Sequence, residues 1–340
     1  MTSARRVLIV DTDAGFDDLV AIQCLLRNRR RHDQDVLLTT VGGVIFAARG
    51  AATLKRIFPQ QQAIVAGRNA PVMPYDPIPE WLDSYRSSKL DAFVQEWNGP
   101  AADDTDFGTK EDAENDKEHD SKDAALRAVM DRIDKFDENS VDILCIGPLT
   151  NLANWLDHDN NRCFTSKIHQ VYILGGNHPN VAHTIQSPEF NFGLDPHAAK
   201  QVLESPLLAN KIRLMTSSVC NMETIQSAMG EQSVKDFIVD MAQRNNKCFL
   251  RTVLRFDSWA YSISCDPVCA FCIDNPDAVT WEPHQYVRVQ ILDQQPSVLL
   301  VKAEGEDIED DNDNDCRGIQ IAVSVDFKKY LEWVRENVNN

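Results

Sequence analysis

Six short aliphatic runs constrain this chain more than any other feature. They are VLIV (7–10), VLLTTV (36–41), AIV (63–65), VDILCI (141–146), QVYIL (170–174) and IRLM (212–215). Most show no polar alternation. A strand with one face in water alternates, whereas an unbroken apolar run needs cover on both faces. Between the runs lie amphipathic segments: DDLVAIQCLLRN, GAATLKRIF, KDAALRAVMDRI and DPHAAKQVLES. Strands alternating with helices predict an α/β fold with a mainly parallel, Rossmann-like central sheet flanked by helices. No internal repeat is visible and no linker divides the first two-thirds, so a single domain over 1–340 is expected.

Two segments read as surface insertions in that domain. Residues 99–123, GPAADDTDFGTKEDAENDKEHDSKD, are acidic and nearly free of aliphatics, which suits a flexible loop. Residues 303–315, AEGEDIEDDNDND, suggest an EF-hand at first sight. Counted from Asp311, however, Cys316 stands where the calcium loop needs glycine and Ala322 where it needs glutamate. A charged hairpin or loop is expected instead.

A net charge of −18 argues against affinity for nucleic-acid backbones, and it suits a divalent cation or a neutral, hydroxyl-rich ligand. Nine cysteines are scattered, several inside apolar runs, as buried thiols are in a reducing compartment. Cys265, Cys269 and Cys272 have no nearby fourth partner and make a poor zinc or iron–sulfur site. MTSARRVLIVD is too short in apolar residues for a signal peptide, and no membrane-spanning run follows. A cytoplasmic protein without membrane contact is expected.

Ligands of a parallel α/β sheet gather at the carboxyl ends of its strands. Four polar clusters follow predicted strands or open helices there. VLIVDTDAGFDD places Asp11 and Asp13 at the end of the first strand, Ala14 and Gly15 in a tight turn, and Asp17 and Asp18 at the helix start. A helix N-terminus accounts for one acid. Four such acids, as hard oxygen ligands at that density, fit calcium or magnesium. GPLTN (147–151) ends a strand and exposes carbonyls. PEFNFGLDPHAA (188–199) offers Glu189 and Asn191 for sugar hydroxyls, with Asp195 expected as a structural N-cap. SCDPVCAF places Asp266 before a proline-opened helix, where an N-cap and a ligand are equally open readings.

Taken together, these residues resemble the nucleoside hydrolase family (inosine-uridine preferring nucleoside ribohydrolases). Its opening D-x-D-x-G-x-D-D motif stands here as DTDAGFDD. TTVGG, GPLTNLA, LGGN, EFNFGLDPHAA and CDPVCA follow in the family's order, and VDFKKYLEWV is similar to its last strand and helix. The resemblance implies hydrolysis of the N-glycosidic bond of ribonucleosides, a bound Ca2+, and a homodimer or homotetramer. It implies metal ligation by Asp13, Asp18, the Thr150 carbonyl and Asp266, with water and the ribose 2′- and 3′-hydroxyls completing the shell. Asp266 thus also stands beside the ribose. By the same resemblance Asp13 is the catalytic base, Asp17 holds the 2′-hydroxyl, Asn191 the 3′-hydroxyl and Glu189 the 5′-hydroxyl. Asp11 would support the loop from behind.

The chain departs from that pattern on the base side. Val44 replaces an asparagine, which predicts one lost polar contact. His183 stands where a 5′-hydroxyl asparagine is common. Cys265 replaces a histidine or tryptophan before Asp266, and a thiol near pKa ~8.5 is a poor acid for a nucleobase. Two alternatives stay open: Trp81 and Trp259 sandwiching a purine, or His178 or His183 acting as acid. Stacking tryptophans would favour inosine and guanosine. Two rival readings exist, a Mg2+-dependent haloacid-dehalogenase-like phosphatase using D-x-D, and a calcium-dependent nucleoside binder that has lost catalysis.

Overall fold

The six aliphatic runs form six parallel strands of one sheet. In the computed structural model, which describes residues 6–31, 35–71, 80–98, 118–159, 162–178, 189–243, 249–258, 262–291, 298–302 and 318–338, these are β1 (Val7–Thr12), β2 (Asp35–Gly42), β3 (Ile64–Asn69), β4 (Val141–Cys145), β5 (Ile168–Leu174) and β6 (Ile212–Met215). Three-residue β7 (Val279–Trp281) and β10 (Gln320–Val325) complete the sheet, in the order β3-β2-β1-β4-β5-β6-β10-β7. Only β7 runs antiparallel to its neighbour. A separate antiparallel pair, β8 (Val287–Ile291) and β9 (Val298–Lys302), lies apart from it.

The unbroken hydrophobicity of the strands has the expected cause. Every residue of β1 is buried, with Leu8 and Val10 in one apolar cluster and Val7 and Ile9 in another on the opposite face. The first cluster holds the helices Phe16–Arg31, Asp266–Asp274 and Phe327–Asn337, and the second holds Thr150–Asp157 and Pro196–Leu203. The result is a single α/β layer structure with helices on both faces. VDFKKYLEWV straddles the end of β10 and the last helix, as its sequence predicts.

The strand order reverses between β1 and β4: the chain builds β1, β2 and β3 outward on one side, then returns to place β4 against the free edge of β1. The crevice beyond such a reversal is where open α/β sheets bind ligands. DTDAGFDD leaves β1 there and GPLTN leaves β4 there.

Of the two acidic segments, 303–315 lies outside the described residues, as does 99–117. From Glu118 the chain is already helical (Glu118–Ile133), so the predicted 99–123 loop is shortened; acidic residues also suit a helix start. Among the described residues no helix is long and apolar enough to cross a membrane.

Candidate active site

The turn after β1 is built by one hydroxyl and one strained residue. The Thr12 hydroxyl donates to Asp18 Oδ1 and accepts the Ala14 N–H at 3.0 Å. Asp18 Oδ2 accepts the N–H of Gly15, three residues back, at 3.0 Å, half of a capping box for the helix Phe16–Arg31. Ala14, rather than Gly15, adopts the left-handed backbone, with φ 62°. That conformation is costly for a residue with a Cβ, and the buried Tyr85 hydroxyl holds it by donating to the Ala14 carbonyl at 2.6 Å. Tyr85 opens a π-helical turn, Tyr85–Lys89, a distortion common at functional sites. Gly15 serves a different purpose. A Cβ there would lie 2.8 Å from Asp18 Oδ2, 2.9 Å from Asp17 Oδ1 and 3.7 Å from Asp13 Oδ1, so three carboxylates converge on this glycine.

Asp266 joins them from a distant part of the chain. It is the first residue of its helix rather than its N-cap, which is Cys265. One carboxylate oxygen from each of Asp17, Asp18 and Asp266 lies within 4.8 Å of the other two, the one such acidic group among the described residues. Of the side chains that the resemblance assigns to the metal, Asp18 and Asp266 are members of this group and Asp13 lies outside it, with Asp17 as the third member. Asp13 is buried, and its Oδ2 accepts the N–H of Val44 at 3.0 Å. The backbone N–H of Val44 thus fixes Asp13; the side-chain contact that an asparagine there would add is absent from a valine.

These carboxylates are held where their charges are unwelcome. Burial, then repulsion from Asp13, raises Asp17 to about 7. Burial first, then neighbouring aspartates, pushes Asp18 and Asp266 well above the ordinary range. A divalent cation among them would offset both causes, and the all-oxygen donor set suits a hard ion. The residues present fit such a group.

Behind this group, Asn151 of GPLTN ties three strands. Its Nδ2 donates to Asp11 Oδ1 at 2.8 Å and to the Thr40 carbonyl at 3.0 Å, and its Oδ1 accepts the Arg68 N–H at 2.8 Å. Asp11 also accepts the Thr39 hydroxyl at 2.7 Å, while its buried Oδ2 has no hydrogen-bond partner. Burial raises Asp11 to about 7, against those hydrogen bonds. Asp11 is thus tied to Thr39 of β2 and to Asn151. The Thr150 hydroxyl donates to Asp195 Oδ2 at 2.7 Å, and Asp195 caps the next helix through the Ala198 N–H. The N-cap reading of Asp195 holds, and the cap anchors the residue whose carbonyl was singled out.

Glu189 and Asn191 complete the rim. Glu189 caps the helix Phe190–Leu194, accepting the Asn191 N–H at 3.2 Å and the Phe192 N–H at 2.8 Å. Burial raises its pKa against those bonds. Asn191 Nδ2 donates to the carbonyls of Ile146 and Leu174, at the ends of β4 and β5. That turns its Oδ1 into the free-pointing acceptor of the amide. Phe192 explains the glycine pair of LGGN, since a Cβ on Gly175 would meet its ring at 2.7 Å.

The base-side candidates separate. His178 pairs with Glu282 at 3.3 Å. Cys265 adopts φ 57° and donates its N–H to the Cys220 carbonyl at 2.9 Å, and its thiol is a hydrogen-bond neighbour of the Cys220 thiol. His183 and Trp259 lie outside the described residues. Trp81 belongs to the helix Glu80–Ser84, with its side chain outside the description. Two residues went unnoticed in the sequence: Tyr85, for which no local signal exists, and Asp257. Asp257 ends the helix Phe249–Phe256, accepts the Ser262 hydroxyl at 3.3 Å, and adds its charge to the fields raising Asp17 and Tyr85.

Comparison with known proteins identifies the family and the fold. The family model described as inosine-uridine preferring nucleoside hydrolase matches residues 8–332. The non-specific ribonucleoside hydrolase RihC of Escherichia coli (strain SE11) is 24% identical over 351 residues, covering 98% of each chain. RihC of Escherichia fergusonii is likewise 24% identical at 98% coverage of both. Among solved structures, an inosine-guanosine nucleoside hydrolase superposes with TM-score 0.70 at 19% identity, covering 98% of each chain. A plant nucleoside hydrolase, PpNRh1, gives TM-score 0.67 at 17% identity, covering 98% of this chain and 99% of its own.

Proposed function

This chain belongs to the inosine-uridine preferring nucleoside hydrolase family and is an N-glycosyl hydrolase; on that premise we propose that it cleaves purine ribonucleosides to ribose and free base with a Ca2+ ion among its buried carboxylates. The observation that carries the reading is the convergence of Asp17, Asp18 and Asp266 at the strand-order reversal. The phosphatase alternative leaves GPLTN and EFNFG without a purpose and is set aside.

Asp13, Asp18, Asp266 and the Thr150 carbonyl would hold the ion, with Asp17 adjoining. When bound, it supplies the positive charge that lets these acids ionise together and a Lewis acid for oxygens within reach. The chain's own groups do the rest. Asp13, one oxygen fixed by the Val44 N–H, takes a proton from the attacking water. The C–N bond breaks through an oxocarbenium-like sugar, and the surrounding carboxylates favour its developing positive charge. Asp17 accepts from the 2′-hydroxyl, and Asn191 offers Oδ1 to the 3′-hydroxyl. Glu189, fixed by two backbone N–H groups, keeps lone pairs for the 5′-hydroxyl. Asp11 and Asn151 brace the loop that carries Asp13.

The purine reading is the one that stacking by Trp81 and Trp259 would favour, a use natural to indoles; a structural neighbour is named for inosine and guanosine. The two acidic segments are surface insertions in one catalytic domain, and the assembly is a homodimer or homotetramer in the cytoplasm. A reducing-sugar assay across inosine, guanosine, adenosine, uridine and cytidine, with metal content measured alongside, tests the reading. Inosine or guanosine is expected to give the highest kcat/KM in calcium-loaded protein, and Asp13→Ala to lose several orders of magnitude in kcat while still folding. A clear uridine preference would dispose of the purine assignment. Release of no ribose from any of the five would dispose of the whole.

A further inference from the structure

On the proposed function, on which this inference rests, the ion is held by two loops far apart in the chain. One runs from β1 into the helix Phe16–Arg31 and carries Asp13, Asp17 and Asp18. The other leads into the helix Asp266–Asp274, which Asp266 opens. Those two helices pack on each other. Carboxylates this close repel, so the acids of metal-free protein would spread apart unless groups outside the site fix both loops.

The same device stands at each loop. Ala14, within the first, and Cys265, directly before Asp266, both have positive φ, 62° and 57°, which is unfavourable for a residue with a Cβ. At the first loop the buried Tyr85 packs edge-on against Phe16, with centroids 4.9 Å apart, and its hydroxyl donates to the Ala14 carbonyl at 2.6 Å. At the second, the buried Tyr330 of the helix Phe327–Asn337 packs edge-on against Phe271, with centroids 5.6 Å apart. Its hydroxyl donates to the Ile263 carbonyl at 2.7 Å, three residues before Asp266. Phe16 opens the helix of Asp17 and Asp18, and Phe271 belongs to the helix of Asp266. Each tyrosine thus rests on a helix that bears a carboxylate and pins the loop leading into it. Each hydroxyl has one proton and gives it to a backbone carbonyl, so neither is left to donate to a substrate.

We propose that Tyr85 and Tyr330 are positioning residues that preorganise the cation site, holding both loops in the conformation that brings Asp17, Asp18 and Asp266 together before the ion arrives. Without the Tyr85 hydroxyl, the Ala14 carbonyl loses its buried partner and the turn relaxes toward the right-handed region, which moves Asp13 relative to Asp17 and Asp18. Without the Tyr330 hydroxyl, the segment 263–265 loses its anchor to the last helix, and Cys265 no longer holds Asp266 in place. In either case the arrangement that binds the ion becomes a minor state. The apparent Kd then rises by the inverse of that state's population.

The test titrates Ca2+ by calorimetry into the metal-stripped full chain, with a thermal melt of the metal-free protein alongside. Loss of one hydrogen bond to a buried carbonyl shifts an equilibrium by about 10-fold. Tyr85→Phe and Tyr330→Phe are therefore each expected to raise the Kd for Ca2+ by about 10-fold while the metal-free protein still melts cooperatively. Glycine adopts left-handed backbone freely. Adding Ala14→Gly should thus recover most of the Tyr85→Phe loss and none of the Tyr330→Phe loss. An unchanged Kd in either variant, with only the metal-free Tm lowered, is the mark of a purely structural role and would overturn the inference. So would a Tyr85→Phe loss that Ala14→Gly leaves intact. Absence of Ca2+ binding by the unaltered protein would instead overturn the proposed function, and this inference with it.

Discussion

Replacing Gly43 by alanine alters no polar group, yet it should disable the site. A Cβ at Gly43 would stand 2.7 Å from Asp13 Cβ and 2.9 Å from Asp13 Cγ. Carbon atoms at rest sit about 3.5–4.0 Å apart, so the Asp13 side chain must move by about 1 Å. Its bond from the Val44 N–H would be lost; a hydrogen bond to a charged group contributes about 1.5–3 kcal/mol. A displacement of that size costs about 100-fold in rate when it falls on a reacting group. Ribose release from inosine, followed with a thermal melt, should therefore show kcat/KM down about 100-fold and a Tm only a few degrees lower. Gly230→Ala is the control. Gly230 has φ 82° with room for a Cβ, at the end of the helix Met222–Met229, so that change should cost stability of order 1 kcal/mol and spare activity. A Gly43→Ala protein working within threefold of the original would refute the placement of Asp13.

Stability of metal-free protein should fall as pH rises. Asp11 sits near 7 in the fold against an ordinary 3.8, so the folded state binds the extra proton and loses up to about 4 kcal/mol between pH 4 and 7. Calorimetry at pH 5 and 7.5 should show this, with the difference reduced in Asp11→Asn; an unchanged difference would refute it. Asn151→Ala strands partners on β1, β2 and β3 and should cost about 3–5 kcal/mol in urea unfolding. A loss under 1 kcal/mol would mean those strands hold their ends unaided.

The sheet was largely legible because strands buried on both faces leave unbroken aliphatic runs, and β1 to β6 are those runs. The pieces that escaped lack that mark. Strand β7 is three residues long, and β8 alternates Val287, Arg288 and Val289 with one face in solvent. At the site, motifs that cluster in sequence were readable: DTDAGFDD and GPLTN leave β1 and β4, and EFNFG meets the ends of β4 and β5. Details set by the backbone left no mark in the sequence: Asp13 is fixed by the Val44 N–H, and the left-handed turn falls on Ala14, beside a glycine with no Cβ to crowd Asp17 and Asp18. Asp257 was invisible because only the packing of Phe16 on Phe256 brings it to Asp17, and no local pattern encodes a contact between rings so far apart in sequence.

The presence of a cation among the buried acids is tested most directly by titrating Ca2+ into metal-stripped protein, in buffers of differing ionisation heat near pH 7. Asp17, raised to about 7, and Asp18 and Asp266, raised well above the ordinary carboxylate range, must shed protons as the ion enters. One ion per chain, net proton release, and loss of binding in Asp18→Asn and Asp266→Asn are the predicted results. An absence of binding, or binding that survives both substitutions, would contradict the account.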